Sequence, residues 1–438
     1  MIIQQILFVV ILAVASYIFY RKIGTIRRNI FLGKPKEFEG DTSMRWNNVL
    51  LLAFGQKKMF KRMTPAVLHF FVYAGFLIIN IEMLEIVLDG IFGTHRMFAG
   101  ALGGFYNVLL GIFEVLALTV LVSCAIFLVR RNIIKIKRLT KGELSGGWPK
   151  TDANLILITE IVLMSLLLIM NAADYNLQQL GAEHYTQTGP FWISQFIAPI
   201  FSGASEATLI AIERGAWWIH IIGILAFLNY LPYSKHLHIV LAFPNAYYAP
   251  LQPAGKMRNM EDIQKEVLYM MDPAQAPTDA PPTDEMPKFG ARDVMDLSWK
   301  SLMDAYACTE CGRCTDSCPA NITGKKLSPR QIMMATRDRV EEVGKNIDAN
   351  GSFVEDGKSL LHDYITVEEL RACTSCNACV EACPVSINPL DIIFELRRNL
   401  YMEESNVPQE WMQMSSNIEN NMAPWKMSPD ERAAWANS

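Results

Sequence analysis

The 438-residue sequence contains no glycine-rich dinucleotide fingerprint, no phosphate-binding P-loop and no cysteine pair set apart for disulfide exchange. These absences exclude the usual sites at which a chain turns over a soluble substrate, so that such turnover is expected on another subunit. One sign of charge is missing from a long stretch: residues 151–213 hold neither lysine nor arginine. The total charge says little, with 40 basic against 44 acidic residues and a net of −4. Its distribution says more. Basic residues crowd into 21–62 ("RKIGTIRR" through "KKMFKR") and into 130–141 ("RRNIIKIKRLTK"), the asymmetry that membrane topology leaves behind.

What is present in quantity is apolar. Hydrophobic residues make up 51% of the chain, high for a soluble protein. Residues 2–20 ("IIQQILFVVILAVASYIFY") form a run with cations after it rather than before it, an order that argues against a cleaved signal and for an anchor whose N-terminus lies outside. Further runs at 66–89, 100–129, 153–173 and 212–233 each approach the roughly 20 residues needed to cross about 30 Å of hydrocarbon. Placing the basic segments in the cytoplasm leaves everything after about residue 234 cytoplasmic. Between the first two spans, "MRWNNVLLLAF" (44–54) suits a helix in the headgroup layer; a short soluble core helix is the alternative. The aromatics of "GPFWISQFIAPIF", in the long loop 176–211, also suit an interface.

The second half changes character at "MDPAQAPTDAPPTDEMP" (271–287), rich in proline and acid and read as an extended tether. Beyond it come Cys308, Cys311, Cys314 and Cys318 followed by Pro319, then Cys373, Cys376, Cys379 and Cys383 followed by Pro384. Both read C-x2-C-x2-C-x3-C-P. Three thiolates two residues apart wrap one cubane while the fourth points to another. Cys308, Cys311 and Cys314 are therefore expected to share one [4Fe-4S] cluster with Cys383, and Cys373, Cys376 and Cys379 the other with Cys318. Zinc is the competing reading, but its ligands usually come as two separated pairs. Disulfides are disfavoured in a reducing compartment. Cys124, inside the third span, reads as a buried apolar thiol.

Residues 290–400 resemble the α-helical ferredoxin domains of the heterodisulfide reductase small subunit and of the succinate dehydrogenase iron-sulfur subunit. Among seven histidines, three are placed suggestively. His69 lies near the cytoplasmic start of the second span, with His220 and His238 expected at the two ends of the fifth. Eighteen helical residues would set the last two about 27 Å apart on one face, too far to share an iron. His69 and His238, on different helices at one membrane face, are placed as a bundle supplies two axial imidazoles to a haem b. Singly, each also reads as an interfacial or capping side chain.

The run "HIIGILAFLNYLPYSKHLHI" (220–239) resembles the haem-ligating helix of the gamma subunit of respiratory nitrate reductases and of the heterodisulfide reductase membrane subunit. "MFAGALGGFYNVLLGIF" (97–113) and "TDANLILITEIVLMSLLL" (151–168) resemble the equivalent spans, so the likeness covers about 1–245. It implies that His69 and His238 ligate a cytoplasmic-side haem in a bacterial or archaeal membrane. The family's second histidine on helix two is replaced by Ile79, which leaves His220 without its expected partner for a second haem.

The expectation is an all-α chain: a five-helix transmembrane cytochrome b-like bundle (1–245), a linker (246–290), a cytoplasmic dicluster ferredoxin domain (291–400) and a docking tail (401–438). Its expected role is that of a redox subunit passing electrons between a cytoplasmic catalytic partner and the quinone pool. A membrane anchor or redox sensor with clusters and no haem is the alternative. Glu82, Glu85 and Asp89 are candidates for proton handling, or helix-end acids in contact with water. The tail "NNMAPWKMSPDERAAWANS" (420–438) resembles the stretch that, in fused heterodisulfide-reductase-like proteins, leads into a domain with paired cysteine-cysteine-glycine motifs. Such a domain is expected as a separate polypeptide, with Trp411, Trp425 and Trp435 as anchors; a frayed terminus is the alternative.

Overall fold

The computed structural model describes residues 2–140, 142–253, 255–257, 259–276 and 288–436; it is about 73% helical, with no strand among the described residues. Five helices are long and apolar enough to cross a membrane: α1 (Ile2–Ile30), α2 (Met63–Phe92), α3 (Gly104–Asn132), α4 (Gly147–Leu180) and α5 (Glu206–Tyr230). Apolar side chains alone would fit lipid, but only a helix also satisfies every backbone group within its own segment. The ends follow the chemistry. Arg27 and Arg28 close α1, Arg130 and Arg131 close α3, and Ser205 caps α5 through Thr208 N–H at 3.2 Å. The expected third span begins late because Gly103, with φ +53° and ψ −133°, separates the short helix Met97–Leu102 from α3.

The helices close into a ring in which α1 packs on α2 and α5, α3 on α2 and α4, and α4 on α5. Only 11% of the most apolar stretch of α1 is buried, so most of that helix faces outward. Its main anchor in the ring is Phe8, 1% exposed, against Trp217 and against Gly90, where an added Cβ would meet the Phe8 ring at 2.6 Å. The segment 44–54 is helical through Thr42–Asn48 and a π turn, Val49–Phe54. It buries Val49 and Ala53 against Ala246 and leaves Trp46, Leu50 and Phe54 exposed.

The fifth span corrects an expectation. Glu206 starts α5 six residues before the apolar run at 212, which leaves His220 in mid-helix rather than at its end. The helix then stops at Tyr230, because Pro232 cannot continue it, and two 3-10 turns lead to α6 (His238–Tyr247). His220 and His238 therefore do not share one helix face.

The cysteine motifs lie in a helical body built on α8 (Trp299–Ala307), α9 (Pro329–Asn350) and α10 (Pro389–Arg398), preceded by α7 (Glu261–Met271) and followed by α11 (Gln409–Asn421). Its apolar core takes in Ile26 and Ile30 of α1 together with Leu231 and Leu237. Lys34 N–H donates to Leu297 O at 2.7 Å and Trp299 N–H to Lys34 O at 3.0 Å. Gly33 is required there, since an added Cβ would stand 2.6 Å from Trp299 N. Asn29, 1% exposed, donates to the Tyr306 hydroxyl at 3.0 Å. The body is thus seated on the end of α1. Of the expected linker, Glu261–Met271 is helical, and 277–287 lie outside the described residues.

Candidate redox centres

The two cysteine motifs fold alike. Cys308 ends α8 and Cys373 ends the helix Val367–Ala372; in each loop the residues two and four positions later take positive φ, Glu310 (+55°) and Gly312 in the first, Ser375 (+57°) and Asn377 in the second. A helical turn follows each, and Cys318 and Cys383 then turn out of it ahead of a proline. Left-handed residues at these offsets wrap the loop so that successive thiols face inward. At Gly312 the requirement is also steric, since an added Cβ would meet Arg330 Nη1 at 2.8 Å and Arg138 O at 2.9 Å.

The sulfurs group across the motifs. One cavity is lined by Cys308, Cys311 and Cys314 of the first motif together with Cys379 and Cys383 of the second, with Met333 and Ile387 on its apolar wall. Cys318 does not line it and instead interacts electrostatically with Cys373 and Cys379. Cys379 thus stands between the two groups, beside the first cavity and beside Cys318 and Cys373. Among the described residues no three His, Cys, Asp or Glu side chains could hold a single metal ion. A zinc site would draw its thiolates to about 2.3 Å from one centre. Eight thiols in two facing loops are a donor set that fits iron-sulfur cubanes. Burial pushes the Cys308 thiol up to about 11 and those of Cys379 and Cys383 up to about 12, so metal binding there must displace protons. Backbone N–H groups of Ser375 and Ile387 already point at Cys373 Sγ (3.4 Å) and Cys383 Sγ (3.3 Å). Cys376 is exposed, whereas Cys308 is buried in the core that also takes in Ile26, Ile30, Leu231 and Leu237.

The first cysteine loop is clamped to the end of the helix bundle by charge. Glu310, inside the first cysteine loop and 3% exposed, pairs with Lys235 and with Arg337 at 2.5 Å. Burial alone would raise its carboxyl, but the two cations outweigh that and hold it below the usual carboxylate range. Lys235 also donates to Pro149 O at 2.7 Å and lies 3.7 Å from Asp152. Asp152 in turn accepts from Tyr230 OH (2.5 Å), Ser234 Oγ (2.7 Å) and Lys235 N–H (3.1 Å). Arg138 donates to Cys311 O at 2.7 Å, and Arg62 pairs with Asp316 at 2.6 Å. The basic loops that mark topology in the sequence are therefore also the seats of the cysteine-bearing body.

His69 and His238 come together. Their ring centroids are 6.4 Å apart, at 44°. Each Nδ1 is engaged, His69 with Gln56 Oε1 at 3.1 Å and His238 with Lys235 O at 3.0 Å, which leaves each Nε2 available. Two imidazoles on opposite sides of one metal, with bonds of about 2 Å, would place their centroids roughly 6 Å apart. At this separation His69 and His238 would be able to hold one metal between them. His236, which no motif singles out, stacks on His238 at 5.8 Å and 27°, and its buried Nδ1 has no partner among the described residues. Its one signal in the sequence is its place two residues before His238. His220 is apart: its Nδ1 meets Leu163 O at 3.0 Å, and no other histidine ring packs on it among the described residues. Of the acids on α2, Asp89 and Glu85 act as caps for the turn at 96–98, accepting from Arg96 N–H (2.8 Å) and Phe98 N–H (2.8 Å).

A membrane protein that carries an iron-sulfur electron-transfer unit is the class these features define. Residues 307–387 match the family model described as a 4Fe-4S dicluster domain, which covers the two cysteine motifs. Along 99% of its length the chain is similar, at 28% identity, to the "Probable iron-sulfur-binding oxidoreductase FadF" of Bacillus subtilis, covering 60% of that protein. It is 27% identical over 88% of its length to the "EtfAB:quinone oxidoreductase" of Syntrophomonas wolfei, covering 53% of it. Over 27% of the chain it is 34% identical to one subunit of the "Ferredoxin/F(420)H(2)-dependent CoB-CoM heterodisulfide reductase" of Methanosarcina acetivorans, covering 60% of that subunit. The chain spans between about half and three fifths of the length of the first two relatives. No solved structure matches.

Proposed function

We propose that this chain is the membrane electron-transfer subunit of a quinone-linked oxidoreductase, with residues 1–245 as a cytochrome b-like domain. Cys308, Cys311, Cys314 and Cys383 would hold one [4Fe-4S] cluster, Cys373, Cys376, Cys379 and Cys318 the other, and His69 and His238 a haem b. When bound, these groups supply reversible one-electron transfer. The similarity to a protein named as a quinone oxidoreductase supports quinone as the lipid-soluble partner. The exposed Cys376 marks the end open to a catalytic partner, and the basic loops support a cytoplasmic location for it with the N-terminus outside. The partner would be a heterodisulfide-reductase-like subunit with cysteine-cysteine-glycine motifs.

The observation that carries the reading is the continuity from one centre to the next. Glu310, between two cysteines of the first loop, is paired to the Lys235 side chain, and the Lys235 carbonyl orients His238 through Nδ1. One residue thus fixes the spacing between the sulfur cage and the imidazole pair. The test is an anaerobic preparation assayed for iron and acid-labile sulfide and for its dithionite-reduced optical spectrum. Cluster iron with a sharp reduced haem b band is expected. Clusters without the band would leave the alternative, a membrane anchor or redox sensor; a preparation lacking both iron and sulfide would remove either reading.

A further inference from the structure

The end of the bundle remote from the cysteines carries a second polar centre. Glu82, on α2, is 2% exposed, and among the described residues neither of its carboxyl oxygens has a hydrogen-bond partner. The acids around it are satisfied: Glu85 by Phe98 N–H and the Tyr106 hydroxyl (2.7 Å), Asp89 by backbone N–H groups, and Glu114 by Ile193 N–H at 2.8 Å. The nearest cation is Arg96, whose Nη1 stands 4.0 Å from Glu82 Oε1, beyond hydrogen-bond reach. Arg96 is fixed from the other side by Asp174 at 2.7 Å and Asn171 at 2.8 Å. His95 continues the chain, its Nε2 3.4 Å from Asp174 Oδ2, and its buried Nδ1 is again without a partner among the described residues. The centre therefore has an unsatisfied group at each end, a carboxyl inside α2 and an imidazole in the connection that leaves the helix after Phe92.

Buried polar atoms without partners are rare, and ionisable groups within a membrane span are kept for function. Arg96 cannot release its proton and so serves as a fixed countercharge. A carboxyl with no fixed partner gains or loses a proton without breaking a hydrogen bond. Glu82 is thirteen residues from His69 on the same helix, about 20 Å along its axis, so this centre is separate from the imidazole pair.

We propose that Glu82 is the proton-exchange group of a relay that runs past Arg96, through bridging water, to Asp174 and His95, and links the quinone to the aqueous phase beyond the far end of the bundle. This rests on the quinone-linked reading above. Reduction of a quinone to a quinol takes two electrons from the reduced donor by way of the clusters and forms two O–H bonds. Each proton entering by this route leaves the Glu82 O–H bond, and Glu82 is reprotonated from the His95 side; oxidation of a quinol runs the same transfers backward.

The test uses the full chain, loaded with its clusters and haem, in liposomes selected for an outward-facing cysteine body and holding a pH dye inside. Reduced viologen outside is the donor and a short-tailed naphthoquinone the acceptor. Internal alkalinisation that tracks quinone reduction is expected for the wild type. Glu82→Gln should cut both at least tenfold while reduction of the clusters by viologen keeps its rate. Unchanged proton uptake in Glu82→Gln, or protons drawn only from outside in the wild type, would overturn the proposal. Should the variant fail to assemble, the wild type decides: a carboxyl C=O infrared band that changes on quinone reduction and shifts in deuterium oxide supports the relay, and its absence overturns it. Quinone left unreduced by the wild type would instead remove the electron-transfer reading, and the relay with it.

Discussion

Replacing Lys235 by methionine removes a charge that joins three structures at once. The ammonium pairs with Glu310, donates to Pro149 O and lies beside Asp152, with a side chain only 10% exposed. Taking one partner from a buried ion pair costs about 3–5 kcal/mol when the other is left uncompensated. Here Arg337 still neutralises Glu310 and Asp152 keeps three donors, so the loss is closer to that of one charge-assisted hydrogen bond, about 1.5–3 kcal/mol. Glu310→Gln should cost a similar amount. The double variant should lose less than the sum of the two, because each single change already breaks the same bond. Heating in detergent at a fixed scan rate, followed by bleaching of cluster absorbance, gives the order of midpoints. Stopped-flow reduction then reports function: Lys235→Met should keep the proposed haem, since His238 is held by the Lys235 backbone carbonyl, yet transfer from cluster to that haem should slow at least tenfold as the loops part. A wild-type midpoint together with a wild-type transfer rate in Lys235→Met would refute the clamp.

Gly33→Ala places a methyl against the backbone of Trp299, which cannot yield as a side chain would, and should cost about 1–3 kcal/mol, seen as easier proteolytic release of the cysteine body. His69→Ala or His238→Ala should abolish the reduced haem band, whereas His220→Ala should retain it; this is read from optical spectra of matched preparations. Cys383→Ser should disturb the cluster of the first motif and spare that of the second, with Cys318→Ser doing the reverse, as electron paramagnetic resonance of the two reduced centres would show. Wild-type spectra from the first-motif centre in Cys383→Ser would dismiss the crossed assignment.

The five apolar runs and the eight motif cysteines were legible because each is local: a span needs only its own residues, and C-x2-C-x2-C-x3-C-P dictates its own loop. That the two motifs face each other was legible as well, since the fourth cysteine of each motif turns away from its own loop. Pro232 was a readable signal that α5 could not run straight to His238, and eighteen residues of apparent helix concealed it. What no local pattern encodes is the seating of the cysteine body on α1. Gly33 and Lys34 meet Leu297 and Trp299 across more than half the chain, and Lys235 finds Glu310 across a gap that includes the proline-rich stretch. Glu82 stood out from Glu85 and Asp89 only once the hydrogen bonds of all three were known.

The shared core of Ile26, Ile30 and the cysteine body has a consequence for biosynthesis. The ribosome delivers these isoleucines well before Leu297, Leu302 and the rest of the cysteine body that covers them. Until then the nascent chain must keep a greasy ledge at the membrane surface shielded from its neighbours, so iron loading and completion of the first helix's docking belong to the same late event.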